Sequence, residues 1–94
     1  MADPLIVEVV EVDQSVWNGE ARQVIVNTME GEIGILAGHV PVAGVLQEGR
    51  VIIDPTSGSR VEGRVDGGIV TVDNNRVTIV ADDGIVLVAA GDNQ

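Results

Sequence analysis

No window of helical length in this sequence places its apolar residues at a period of 3.6. What recurs instead is a short apolar run closed by a turn. Glycine, asparagine and aspartate break the runs about every 8 to 12 residues, the spacing of an all-β sandwich. The residues inside the runs agree. Valine, isoleucine and threonine supply 32 of the 94 residues, and leucine and alanine together only 11. Branching at Cβ favours the pleated sheet and loses freedom in a helix.

Leu5 to Val12 reads as the first strand. Its alternation slips near Val9-Val10, which implies a bulge or a segment buried on both faces. Asp13 to Asn18 holds the one tryptophan; Trp17 reads as a core or inter-sheet filler and Asn18-Gly19 as a turn. Arg22 to Thr28 is a second long strand. Ile33 to Leu36 is short and buried, and Val42 to Leu46 is brief. Gln47-Glu48-Gly49 turns the chain into Arg50 to Asp54, and Pro55-Thr56-Ser57-Gly58 is a hairpin turn. Beyond it Arg60, Glu62, Arg64 and Asp66 alternate with Val61, Gly63 and Val65, giving one wet face and one dry face. Gly67-Gly68 permits a bulge or a close strand approach. Ile69 to Val72 and Arg76 to Ala81 form a hairpin across Asp73-Asn74-Asn75, and Asp82-Asp83-Gly84 leads into Ile85 to Val88. The expected count is nine or ten short strands in one domain, residues 1–88, with a frayed, flexible tail over 89–94.

Residue types narrow the function by elimination. There is no cysteine, and one histidine cannot build a zinc site alone. His39 has Ser15, Ser57 and Ser59 as possible partners, but no nucleophile motif surrounds any of them. Gly31-x-x-Gly34 is not a phosphate loop, because no helix follows and the loop lacks a lysine. With no lysine anywhere, a biotin- or lipoate-carrying domain is excluded. Asp73-Asn74-Asn75 and Asp82-Asp83-Gly84 offer oxygens to calcium without the spacing of an EF-hand loop, and read as turns. Fifteen acids against five arginines leave a formal charge of −10, which argues against nucleic acid and against docking on anionic lipid. The apolar runs are far short of a membrane span, and the N-terminus is not a signal peptide. No cofactor is expected. What remains is a small acidic β-sandwich that works by protein contact.

One stretch concentrates turn chemistry and a rare side chain. Gly31 to Pro41 carries three glycines, the only histidine and a proline around a short apolar run. Taken alone it reads as a corner between two sheets, with His39 bonded to backbone.

Several segments, in order, resemble the epsilon subunit family of the bacterial F-type ATP synthase, in its N-terminal β-sandwich domain. Val16 to Ala21 is similar to the family's early turn, and Glu30-Gly31-Glu32-Ile33-Gly34-Ile35-Leu36-Ala37-Gly38-His39-Val40-Pro41 to its most diagnostic segment. Gly49 to Ile53 fits the strand that follows. Gly67 to Val72 and Val77 to Asp82 are similar to the final hairpin. Ala37 stands where the family has proline, and Val42 where it has leucine. The family commonly continues into an alanine- and glutamate-rich two-helix hairpin; Asp83 to Val88 does not resemble that helix start, which favours a naturally short subunit.

The resemblance implies an all-β fold, a flattened ten-stranded sandwich of two sheets. It implies a non-catalytic rotor piece of the central stalk that links the gamma subunit to the c-ring, so that proton-driven rotation is coupled to ATP synthesis. It places Glu30, Gly31 and Glu32 against the c-ring and Gly38 and His39 against gamma. It implies peripheral attachment at the cytoplasmic face of the bacterial plasma membrane, without lipid insertion. The sequence lacks the Asp-x-x-Arg-type segment by which some longer members hold ATP, so no ATP binding is expected. The alternative is a stand-alone β-sandwich module binding a ligand or calcium.

Overall fold

The computed structural model describes residues 3–11, 14–82 and 85–89. Every regular element among them is a strand. There are eight: β1 (Leu5–Glu11), β2 (Gln14–Thr28), β3 (Gly31–Leu36), β4 (Val42–Pro55), β5 (Val61–Val65), β6 (Gly68–Asp73), β7 (Arg76–Ala81) and β8 (Val86–Ala89). The expected count of nine or ten comes down to eight because β2 and β4 are single strands of 15 and 14 residues that each serve both layers.

The pairings show how. The first half of β2 lies against β1, which runs parallel to β7; β7 pairs with β6, and β6 with Val42–Leu46 of β4. The second half of β2 lies between β3 and the second half of β4, whose other edge carries β5 and then β8. Two layers of five segments result, joined where β2 and β4 cross from one to the other. Because β2 also pairs with β4, the strands β2-β1-β7-β6-β4 close on themselves, and among the described residues β3 and β8 are the edges.

The crossing of β4 replaces the expected turn at Gln47-Glu48-Gly49. Val26 faces Val51 but Thr28 faces Leu46, so four residues of β4 bow outward against one of β2. The Asn27 side chain sits over Gly49 and its Nδ2 donates to the Glu48 carbonyl at 3.4 Å. Asn18-Gly19 is likewise strand rather than turn: Asn18 faces Glu8 and Gly19 faces Val7. The glycine makes room for the indole of Trp17, whose Cη2 lies 3.0 Å from where a Cβ would stand. Trp17 is itself half-buried: it lies opposite the sealed Val9, on the inward side of its layer, and packs against the core as expected without being fully enclosed. The slip at Val9-Val10 is a bulge, with Val16 of β2 as the extra residue.

Inward positions of both layers form one aliphatic core, which includes Leu5, Val7, Val9, Val24, Val26, Ile35, Val51, Ile53, Val70, Val72, Val77 and Ile79, all but sealed from solvent. At Gly68 the chains approach so closely that a Cβ would collide with the Val80 carbonyl, and φ there is 140°. Asp73 and Arg76 face each other across a two-residue turn in which Asn74 and Asn75 take φ of 51° and 63°. Positive φ at both central residues matches the right-handed twist of a hairpin. Ile33–Leu36 is the core of an edge strand, with Ile35 buried and Leu36 exposed, rather than a strand buried throughout. Ala89 is the last residue of β8 and faces Val61; the remainder of the expected tail lies outside the described residues.

Candidate docking site

Glu30-Gly31-Glu32 and Gly38-His39 are not brought together. They stand at opposite ends of the six-residue β3, about 17 Å apart at the usual rise per residue.

At the first end, β2 returns into β3 with Thr28 opposite Gly31. Thr28 is buried, and its hydroxyl both donates to the Gly31 carbonyl at 2.7 Å and accepts the Glu30 amide N–H at 3.2 Å. The Met29 amide donates to the Val45 carbonyl at 3.0 Å, which ties the turn to the other layer. A threonine thus does the work of a turn cap, and the carboxylates of Glu30 and Glu32 are left in solvent.

At the second end, the His39 amide donates to the Leu36 carbonyl at 3.0 Å. Gly38 has φ of 86°, the geometry that a type II turn requires at its third residue. The Gly38 amide donates to Asn75 Oδ1 at 2.8 Å, and the Asn75 carbonyl accepts the Ile6 amide at 2.8 Å. The tip of the β6–β7 hairpin therefore locks the His39 turn to β1. The His39 Nδ1 is 2.8 Å from the Val40 carbonyl, so the expected bond to backbone is present. A groove of about 310 Å³, lined by Gly38, His39, Pro41, Asn74 and Asn75, opens here.

Between the two ends lies a surface that sequence reasoning missed. Val45 faces Ile69, and Ile69 faces Val80, all on the outer side of their layer and 55%, 51% and 41% exposed. Met29, 68% exposed, adjoins this row at the first turn. The next row across the same strands is Ala43, Thr71 and Thr78, equally uncharged. Each strand alone reads as apolar on both faces; the cross-strand register that makes a row of them is not visible in the sequence.

Among the described residues no group of three or more His, Cys, Asp or Glu is arranged to hold a metal ion. Asp73-Asn74-Asn75 is a hairpin turn, and Asp83 and Gly84 lie outside the described residues. No helix of the described residues is long and apolar enough to cross a membrane.

The family model for the ATP synthase delta/epsilon chain β-sandwich domain matches residues 4–86. The chain belongs to this family. An ATP synthase epsilon chain from Micrococcus luteus is 44% identical over 77 residues, covering 82% of this chain and 85% of that one. One from Frankia casuarinae is 38% identical over 79 residues and is covered to 93% of its length. One from Corynebacterium aurimucosum is 42% identical over 83 residues but is covered to only 67% of its length. Among solved structures, a chain of the Euglena gracilis mitochondrial ATP synthase superposes with a TM-score of 0.82 at 23% identity, covering 89% of this chain and 53% of that one. A chain from the central stalk and c-ring of the Tetrahymena thermophila mitochondrial enzyme gives 0.73 at 19% identity, covering 99% and 75%. At that identity the superpositions establish a shared fold: the family's sandwich is the architecture described above.

Proposed function

We propose that this chain is a non-catalytic subunit of the central stalk of an F-type ATP synthase, linking the gamma subunit to the c-ring so that proton-driven rotation is coupled to ATP synthesis. The observation that carries the proposal is the family match, which spans residues 4–86 and so covers both docking turns and the scaffold between them. Glu30, Gly31 and Glu32 meet the c-ring, where arginine is a fitting counterpart for two exposed carboxylates. Gly38 and His39 meet gamma. The uncharged face of Val45, Ile69 and Val80, lying between the two turns, is a seat for the same assembly.

Such a part transmits torque, so it needs stiffness and gripping surfaces rather than a reactive group. Closure of five strands on themselves and a sealed aliphatic core supply the stiffness. Both turns are fixed by hydrogen bonds to other strands, so force on a loop passes into the scaffold. The subunit sits peripherally at the cytoplasmic face of the bacterial membrane and holds no ATP.

The test is assembly. Tagged chain co-expressed with the gamma subunit and c-ring of the same bacterium should recover both. Changing Glu30 and Glu32 together to glutamine should weaken recovery of the ring, with the melting temperature of the isolated chain unaltered. Full assembly and full proton-driven ATP synthesis by that variant would remove these carboxylates from the contact. A failure to recover gamma with the unaltered chain would overturn the proposal.

A further inference from the structure

The His39 turn has a hydrogen-bonding sense that fixes the chemistry of what it meets. A carbonyl oxygen only accepts, so with Nδ1 2.8 Å from the Val40 carbonyl, Nδ1 must carry the hydrogen. In the neutral imidazole Nε2 then has none and is a bare acceptor. Among the described residues the chain supplies no donor to it. The ring is half-buried and opens on the groove of about 310 Å³ shared with Gly38, Pro41, Asn74 and Asn75. No charged residue lines that groove. The nearest on its strands, Asp73 and Arg76, face each other at the base of the hairpin.

The orientation is held from outside the turn. Asn75 accepts the Gly38 amide on its side chain while its own backbone is anchored to Ile6. None of the chain's five arginines bonds to His39 among the described residues, and a formal charge of −10 favours a cationic partner, so a cationic donor for this acceptor comes from elsewhere. We infer that His39 accepts, at Nε2, a hydrogen bond from a lysine or arginine side chain of the partner, and that Asn75 is the positioning residue that aims it. The inference rests on the reading above in which Gly38 and His39 meet gamma.

Calorimetric titration of the full chain with the purified gamma subunit of the same bacterium tests it, each variant's melting temperature being measured alongside. His39→Ala should weaken binding about tenfold to a hundredfold, the range for one hydrogen bond to a charged group. His39→Gln restores an acceptor oxygen and should recover most of that loss. His39→Lys offers only donors and a like charge, and should bind worse than His39→Ala. Asn75→Gly keeps a positive φ and the hairpin, and should retain the melting temperature yet weaken binding severalfold. If His39→Ala weakens binding but His39→Lys matches the unaltered chain, the partner group is not a cationic donor and the inference falls while the contact stands. If His39→Ala binds as the unaltered chain does, the turn is not at the interface, and the docking reading itself fails.

Discussion

Arg60 reaches back six residues to grip Asp54, its Nε 2.8 Å from Oδ1 and its Nη2 3.2 Å from Oδ2. Gln23, opposite Asp54 on β2, donates to the same carboxylate. These donors close the end of the β2–β4 ladder. Asp54 is nearly buried whereas Arg60 is 46% exposed.

The Arg60 hydrogen bond, then that of Gln23, holds the Asp54 carboxyl below its ordinary value, against the opposing effect of burial. A carboxyl lowered in the folded state contributes stability above its unfolded value, about 3.9, and loses it as pH falls through the folded value. Stability should therefore decline as pH drops below about 4, and Asp54→Asn should flatten that decline. Urea melts of both forms between pH 3 and 7 test this; parallel curves would show that another carboxylate governs the acid limb. Arg60→Ala should lower stability at pH 7 and let the Asp54 carboxyl rise toward its ordinary value, since among the described residues it leaves only the Gln23 hydrogen bond on that carboxylate.

Gly68→Ala should be among the most damaging single changes in the molecule. Its Cβ would strike the Val80 carbonyl, a backbone atom that cannot move without breaking the β6–β7 ladder, and φ of 140° is hostile to any side chain. A loss of at least about 3 kcal/mol, or failure to fold, is expected from thermal and chemical denaturation.

This is also where reading the sequence works and where it stops. Gly67-Gly68 was legible as a close approach because glycine pairs have few other uses inside a β pattern. Asn18-Gly19 carries the same kind of signal and means something else. The β1–β2 pairing already runs from Glu11 opposite Gln14, so Asn18-Gly19 lies within the ladder, and Gly19 is empty because Trp17 folds over it. Local propensity names the residue that lacks a side chain but not the neighbour that needs the room. The two turns flanking β3 were legible as loops, whereas their separation along β3 and the Val45–Ile69–Val80 row depend on register, which is set by long-range pairing.

Trp17 and Gly19 should be coupled. Trp17→Ala should cost about 2 kcal/mol, less than the 3 to 5 usual for a fully buried aromatic, because the ring is half-buried. Gly19→Ala should destabilise the unaltered chain by pushing on the ring, and be nearly neutral once Trp17 is alanine. A double-mutant cycle measures this; additive costs would mean that the ring and Gly19 do not share the space described.

Gly34 presents the opposite case. A Cβ there meets nothing within 4 Å, and the residue sits in mid-strand opposite Ile25. Glycine in a strand interior costs roughly 0.5 to 1 kcal/mol relative to alanine. Gly34→Ala should therefore leave the isolated chain as stable or slightly more so. Loss of assembly by this variant, at unchanged or raised melting temperature, would identify the open side of Gly34 as a contact. A clear drop in melting temperature would show instead that the scaffold itself needs the gap.

Ile69 offers the sharpest test of the face between the turns, because it is the middle of the row and carries little fold stability. Half of its side chain is in solvent, and its strand neighbours on that face are Val45 and Val80. Ile69→Glu should thus shift unfolding free energy by no more than about 1 kcal/mol, the span of strand propensity. In an assembled stalk the same carboxylate would be desolvated in the centre of an uncharged patch, where an unpaired charge costs several kcal/mol. Association with gamma should fall by well over tenfold, readable by calorimetry, with the circular dichroism spectrum and melting temperature close to those of the unaltered chain. Undiminished association would show that the partner leaves this face open and holds the chain by its turns alone.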